Sequence, residues 1–141
     1  MSEIRLFYRE NNRLKISKNI DLLKEIPLEN FVWIDLNDVP EDAETELEQF
    51  LKIYIQEEEE MEEIEISSRY METEDTLVAN SRFLLDNFEE EPISFIVKNH
   101  ILVSVRSQEL RSFNETVKKM FANPRNYPNG FYILVALLET R

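Results

Sequence analysis

The sequence predicts an α/β (α+β) domain built on a sheet of about six or seven strands flanked by helices. Two observations predict it. Runs of β-branched and aromatic residues bounded by turn formers recur along the chain, and stretches with apolar residues at helical spacing follow the third run and the last. The size agrees with this. At 141 residues, 43% hydrophobic and with one glycine, the chain can bury a real core, so neither disorder nor a linker-rich array fits.

The elements follow in order. "IRLFYR" and "LKISK" flank the polar turn "ENNR" and read as a hairpin, and "FVWIDL" reads as a third strand filled with hydrophobics on both faces. Ala43, Leu47, Phe50, Leu51 and Tyr54 then recur at helical spacing while Glu41, Glu44, Glu46 and Glu48 fall largely off that stripe. This is an amphipathic helix, with Leu47, Phe50, Leu51 and Tyr54 expected on the sheet and Glu44 and Glu48 in water. Asp38, three residues before Glu41, resembles a capping box, and Pro40 suits the first turn. The run "QEEEEMEEIEISSRY" predicts only a short helix, anchored by Met61 and Ile64 and ended by Ser67 and Ser68, because consecutive glutamates repel.

From Arg69 the period becomes extended. "RYMET" and "TLVANSRFLL" read as strands, the second with Leu77, Ala79, Ser81, Phe83 and Leu85 on one face, and "NFEEEP" makes a turn. "ISFIV", "KNH" and "ILVSVR" form a hairpin in which Asn99 tolerates the left-handed backbone of a tight turn. Ser107 is expected to cap a helix with Leu110, Phe113, Val117 and Phe121 on its apolar face. "NPRNYPNG" is a loop. "FYILVALLETR" starts a helix apolar on all sides with no residue to end it, which suggests a helix cut short with neighbours further along a longer chain.

The net charge of −13 is localised. Residues 41–75 hold fifteen Asp or Glu against Lys52 and Arg69, so this segment accounts for all of it and the rest of the chain is balanced. Without a basic stripe to neutralise phosphates, nucleic acid is excluded as a partner, whereas an acidic patch favours cations or basic protein surfaces. The longest apolar run, residues 131–138, is far short of the roughly 20 residues a membrane helix needs, and the polar N-terminus "MSEIRLFYRE" is no signal peptide. With no cysteine there are no disulfides, thiol nucleophiles or cysteine zinc sites. A single glycine rules out a glycine-rich phosphate loop, and the lone His100 sits in a turn with no acid or nucleophile spaced beside it. The chemistry therefore predicts no enzyme. Trp33 and Tyr70, in strands among hydrophobics, read as core or boundary anchors.

The order of motifs resembles one family. "VWIDLNDVPEDAETELEQFLKIY", then "EIEISSRYMETEDTLVANSRFLL", then "ISFIVKNHILVSVR" followed by "SFNETVKKM" resembles the cytoplasmic N-terminal domain of CorA-type magnesium transporters, over nearly the whole chain. The resemblance implies a mixed, largely antiparallel sheet flanked by helices. It also implies a homo-oligomer, a pentamer in the full-length protein, whose soluble domains form a funnel joined by a stalk to membrane helices at the cytoplasmic side of the inner membrane.

The family's pore signature, Gly-Met-Asn, does not occur here, nor do membrane helices. The resemblance thus implies that residues 1–141 are one cytoplasmic domain ending before the stalk, meeting the membrane only through C-terminal helices outside this sequence. Its implied function is regulatory sensing of divalent cations, with Mg2+ as the transported and regulatory ion and no cofactor required. By position after "SRFLL", Asp86 matches the family's regulatory metal carboxylate, whose partner lies on the stalk. The alternatives are a zinc-transporting branch of the superfamily, for which one His and no Cys offer few soft ligands, and a free-standing acidic module that binds a basic protein.

Overall fold

The computed structural model describes residues 2–55, 68–72, 76–85 and 87–140, with residues 68–72 described as a strand alone. Seven strands form one sheet: β1 (Glu3–Glu10), β2 (Arg13–Ser17), β3 (Phe31–Asn37), β4 (Ser68–Glu72), β5 (Thr76–Leu84), β6 (Glu90–Lys98) and β7 (Ile101–Arg106). Their order is β2-β1-β3-β7-β6-β5-β4. Neighbours pair antiparallel except β3 and β7, which run parallel, so the sheet is mixed. Three α-helices are described, α1 (Glu41–Leu51), α2 (Arg111–Ala122) and α3 (Gly130–Glu139).

Because successive strand side chains point to opposite faces, the sheet builds two cores. Leu6, Ile34, Leu36, Val103 and Val105 pack with Leu47 and Leu51 of α1 on one face. Phe7, Trp33, Phe83, Phe95 and Leu102 pack with Phe113 and Met120 of α2 and Ile133 and Leu137 of α3 on the other. The result is three layers, with β3 buried at every position, as its two-sided apolar sequence requires.

Several local expectations change. The apolar stripe of α1 stops earlier than its spacing predicts: Lys52 turns left-handed (φ 56°), and Tyr54, past that turn, is 61% exposed while Ile55 is buried. Phe50 is only half-buried. Glu48 is half-buried rather than free in water; its Oε2 accepts the Ile55 N–H at 2.8 Å, because the reversed chain brings that donor back to the last turn. Nor is Asp38 a cap. It sits left-handed (φ 53°) with its N–H donating to the Arg106 carbonyl at 2.8 Å, and Pro40 precedes the first helical residue.

Ser107 does not cap α2 either; its hydroxyl donates to Glu91 Oε1 at 2.7 Å, and Leu110 is the last extended residue before the helix. The buried face of α2 is Phe113, Thr116 and Met120, rotated from the predicted stripe so that Phe121 is exposed. Thr116 is tolerated there because its hydroxyl donates to the Ser112 carbonyl at 2.8 Å. The short helix expected over the glutamate run, and the side chain of Tyr70, lie outside the described residues.

The β6–β7 turn is left-handed at both Asn99 (φ 52°) and His100 (φ 66°), as a two-residue hairpin demands. α3 starts against that turn: the Gly130 N–H donates to the His100 carbonyl at 2.6 Å. A Cβ at Gly130 would lie 2.2 Å from the Leu102 nitrogen, so the only glycine stands where backbone meets backbone. Asn129 caps α3 by accepting from the Phe131 and Tyr132 N–H groups. The helix is not buried all round: Ile133, Leu134 and Leu137 face the sheet while Phe131, Tyr132 and Val135 are exposed.

Candidate functional site

Three buried charged residues of the sheet, Arg5, Asp35 and Arg106, lie where β1, β3 and β7 run side by side. Register places Arg5 opposite Asp35 and Asp35 opposite Ser104, all three on the face covered by α2. Asp35, almost fully buried, accepts from Arg5 Nη2 at 2.8 Å and Nε at 3.1 Å, from Arg106 Nη2 at 2.8 Å and Nε at 3.1 Å, and from the Ser104 hydroxyl at 2.8 Å. Trp33 Nε1 donates to Ser104 Oγ at 2.8 Å, and the Arg106 guanidinium lies 4.8 Å from the Phe113 ring centre.

Burial alone would raise the Asp35 carboxyl, but the hydrogen bond and charge of Arg106, and then those of Arg5, outweigh it and hold the group below its ordinary value. Burial likewise favours neutral Arg106, yet Asp35 reverses this and raises it. Both stay charged. The remaining donors are also met: Arg5 Nη1 reaches Asn114 Oδ1 at 3.2 Å and Arg106 Nη1 the Gln108 carbonyl at 2.6 Å. A closed network with every acceptor position filled has no room for substrate or ion; it is a structural pin. Its one sequence signal was a charged residue inside "FVWIDL", since a carboxylate buried in a strand requires a cationic partner.

Beyond the C-terminal ends of β3 and β7 the network opens outward. Asn37 Nδ2 donates to Glu109 Oε1 at 3.1 Å, while Asn37 Oδ1, buried, accepts no hydrogen bond. Glu109 then lines a cavity of about 260 Å³ together with Leu84 and Leu85 from the end of β5 and Arg111 and Glu115 from α2. In sequence, Asp86 follows Leu85 directly, and Asp86 itself lies outside the described residues. Its described neighbours are joined by Leu85 N–H to the Glu89 carbonyl at 2.8 Å, Phe88 N–H to the Leu85 carbonyl at 3.0 Å, and Glu89 N–H to Asn87 Oδ1 at 3.0 Å. Phe88 is left-handed there (φ 68°) and exposed.

Among the described residues no three His, Cys, Asp or Glu side chains converge as metal ligands. Glu109 and Glu115 line their cavity together with Arg111, so its charged lining is mixed. Trp33 is a core residue, stacked on Phe7 at 4.7 Å, and His100 is exposed at its turn.

Residues 29–140 match the family model described as "CorA-like Mg2+ transporter protein". The chain is 36% identical over 121 residues to a magnesium transport protein CorA of Wolinella succinogenes, covering 79% of this chain and 37% of that protein. Among solved structures, the full-length CmaX protein superposes with a TM-score of 0.67 at 10% identity, covering 97% of this chain and 43% of that one. The soluble domain of CorA from Methanocaldococcus jannaschii gives 0.61 at 17% identity, covering 99% and 56%. These likenesses show the fold. The chain spans less than half the length of the curated relatives it matches.

Proposed function

The chain belongs to the CorA-like Mg2+ transporter family, and we propose that it is the regulatory, cation-sensing domain of a magnesium transporter and does not itself conduct ions. The match of the family model over 112 residues carries this reading. Among the described residues no helix is long and apolar enough to cross a membrane, and conduction in this reading belongs to helices that follow in a longer protein. The domain sits at the cytoplasmic side of the inner membrane and works as part of a homo-oligomer, a pentamer.

The regulatory ion binds at Asp86, which in sequence follows Leu85, one of the residues lining the cavity that holds Glu109 and Glu115. One or two carboxylates per subunit suffice for hydrated magnesium, and a second subunit's stalk completes the shell. The domain's acidic tract supports cations over anionic partners, because its field raises their local concentration. No cofactor is required.

The test is made on the full-length protein reconstituted in vesicles. Magnesium inside should close the wild-type channel, and Asp86→Ala should weaken that closure while leaving uptake at low magnesium intact. Full closure in the variant would remove Asp86 from the sensor; a full-length protein that moves no magnesium would remove the transporter reading itself.

A further inference from the structure

At the opposite end of the α2–α3 face lies a second cavity, of about 360 Å³, lined by Arg9, Asn12, Leu14, Pro124 and Arg125. The two-residue turn Asn11–Asn12, left-handed at both positions (φ 54° and 62°), closes the β1–β2 hairpin and sets Arg9 directly opposite Leu14. The other wall is the short helical turn Pro124–Asn126 after α2. Arg9 Nη2 donates to the carbonyls of Pro124 at 3.0 Å and Tyr127 at 2.6 Å, which fixes the guanidinium plane. Its Nε and Nη1 find no acceptor among the described residues, and neither does any nitrogen of exposed Arg125.

Every charged group lining this cavity is therefore a guanidinium, on a chain whose net charge is −13. Among the described residues no carboxylate lines it. The fork of Arg125 and the free Nε and Nη1 donors of Arg9, whose guanidinium is held in place, offer N–H groups to a tetrahedral oxyanion, for which arginine is better suited than lysine. The volume falls within the roughly 300–1,000 Å³ of small-ligand sites, larger than one oxyanion needs, and Leu14 and Pro124 offer the extra space an apolar wall. We infer that this cavity binds a small organic phosphate, its phosphate between Arg9 and Arg125 and its uncharged body against Leu14 and Pro124. The site is independent of the cation reading, since it lies on other elements and takes the opposite charge.

A phosphate group could reach it on a soluble ester or on a lipid headgroup, and two arms separate these. Pyrophosphate is titrated calorimetrically into the 141-residue chain in magnesium-free buffer at constant ionic strength, and the chain is floated with phosphatidylcholine vesicles with and without phosphatidate. Arg125→Glu, an exposed change that leaves the fold's melting temperature in place, should weaken binding by about tenfold or more, the loss of one charge-assisted contact. Lys24→Glu, the same charge change on the other face of the sheet, should leave affinity within about twofold. Binding of pyrophosphate alone assigns a soluble ligand, and binding of phosphatidate vesicles alone a lipid; either supports the site. Failure of both probes, or equal weakening by Lys24→Glu, overturns it.

Discussion

Arg106 of β7 grips Asp35 of β3 with two parallel hydrogen bonds, Nη2 to Oδ2 at 2.8 Å and Nε to Oδ1 at 3.1 Å, across the parallel pair of β3 and β7. The two residues are 71 positions apart in sequence. Asp35→Asn keeps the shape but leaves two buried guanidiniums facing a neutral amide. We expect a loss of about 3–5 kcal/mol, the usual result of removing one partner of a buried pair, read from urea unfolding. A loss below about 1 kcal/mol would mean the pin is solvated.

The same carboxylate sets an acid limit. Its folded value is lowered, so the unfolded chain binds the proton first as pH falls, and stability is lost below the ordinary Asp value near 4. The contribution is fully present above that value. Unfolding free energy followed downward from neutral pH should fall across that window in the wild type, and the slope should be shallower in Asp35→Asn.

Gly130→Ala should destabilise the domain by at least about 1–3 kcal/mol, since a methyl there meets the backbone of Ile101 and Leu102 and no side chain can move aside. A helical glycine ordinarily gains stability when changed to alanine. A melting temperature equal to or above wild type would show that α3 does not start against the β6–β7 turn.

On α1, Leu47→Asp buries a charge at a fully enclosed position and should abolish cooperative unfolding. Glu48→Ala should cost about 1 kcal/mol through the Ile55 N–H it leaves unpaired. Thermal melts of both variants check the helix phase; an unchanged Leu47→Asp would refute it.

Because residues 41–75 carry the whole net charge, magnesium should raise the melting temperature more than sodium at equal ionic strength. In the 141-residue chain Asp86→Ala should barely change that response, while Gln at positions 57–60 should reduce it, as diffuse charge rather than a completed shell is responsible. A response abolished by Asp86→Ala alone would show a complete site within one chain.

The sequence by itself determined the strands, their hairpins and the helices, because each is set by local periodicity and turn chemistry: alternation in "ILVSVR", the asparagines at 11, 12 and 99, the helical stripe through Leu47 and Leu51. Motif order also carried the family. Helix ends were misread wherever a distant group took over a local role: Glu91 claims the Ser107 hydroxyl, and the Arg106 carbonyl holds Asp38 away from the cap. Only the tertiary structure decided that Arg5, Asp35 and Arg106 meet, that Gly130 must lack a side chain, and that Arg9 and Arg125 share a cavity. Those relations join residues 28 to 116 positions apart. Strand order sets them, and no short-range pattern encodes which strand lies beside which.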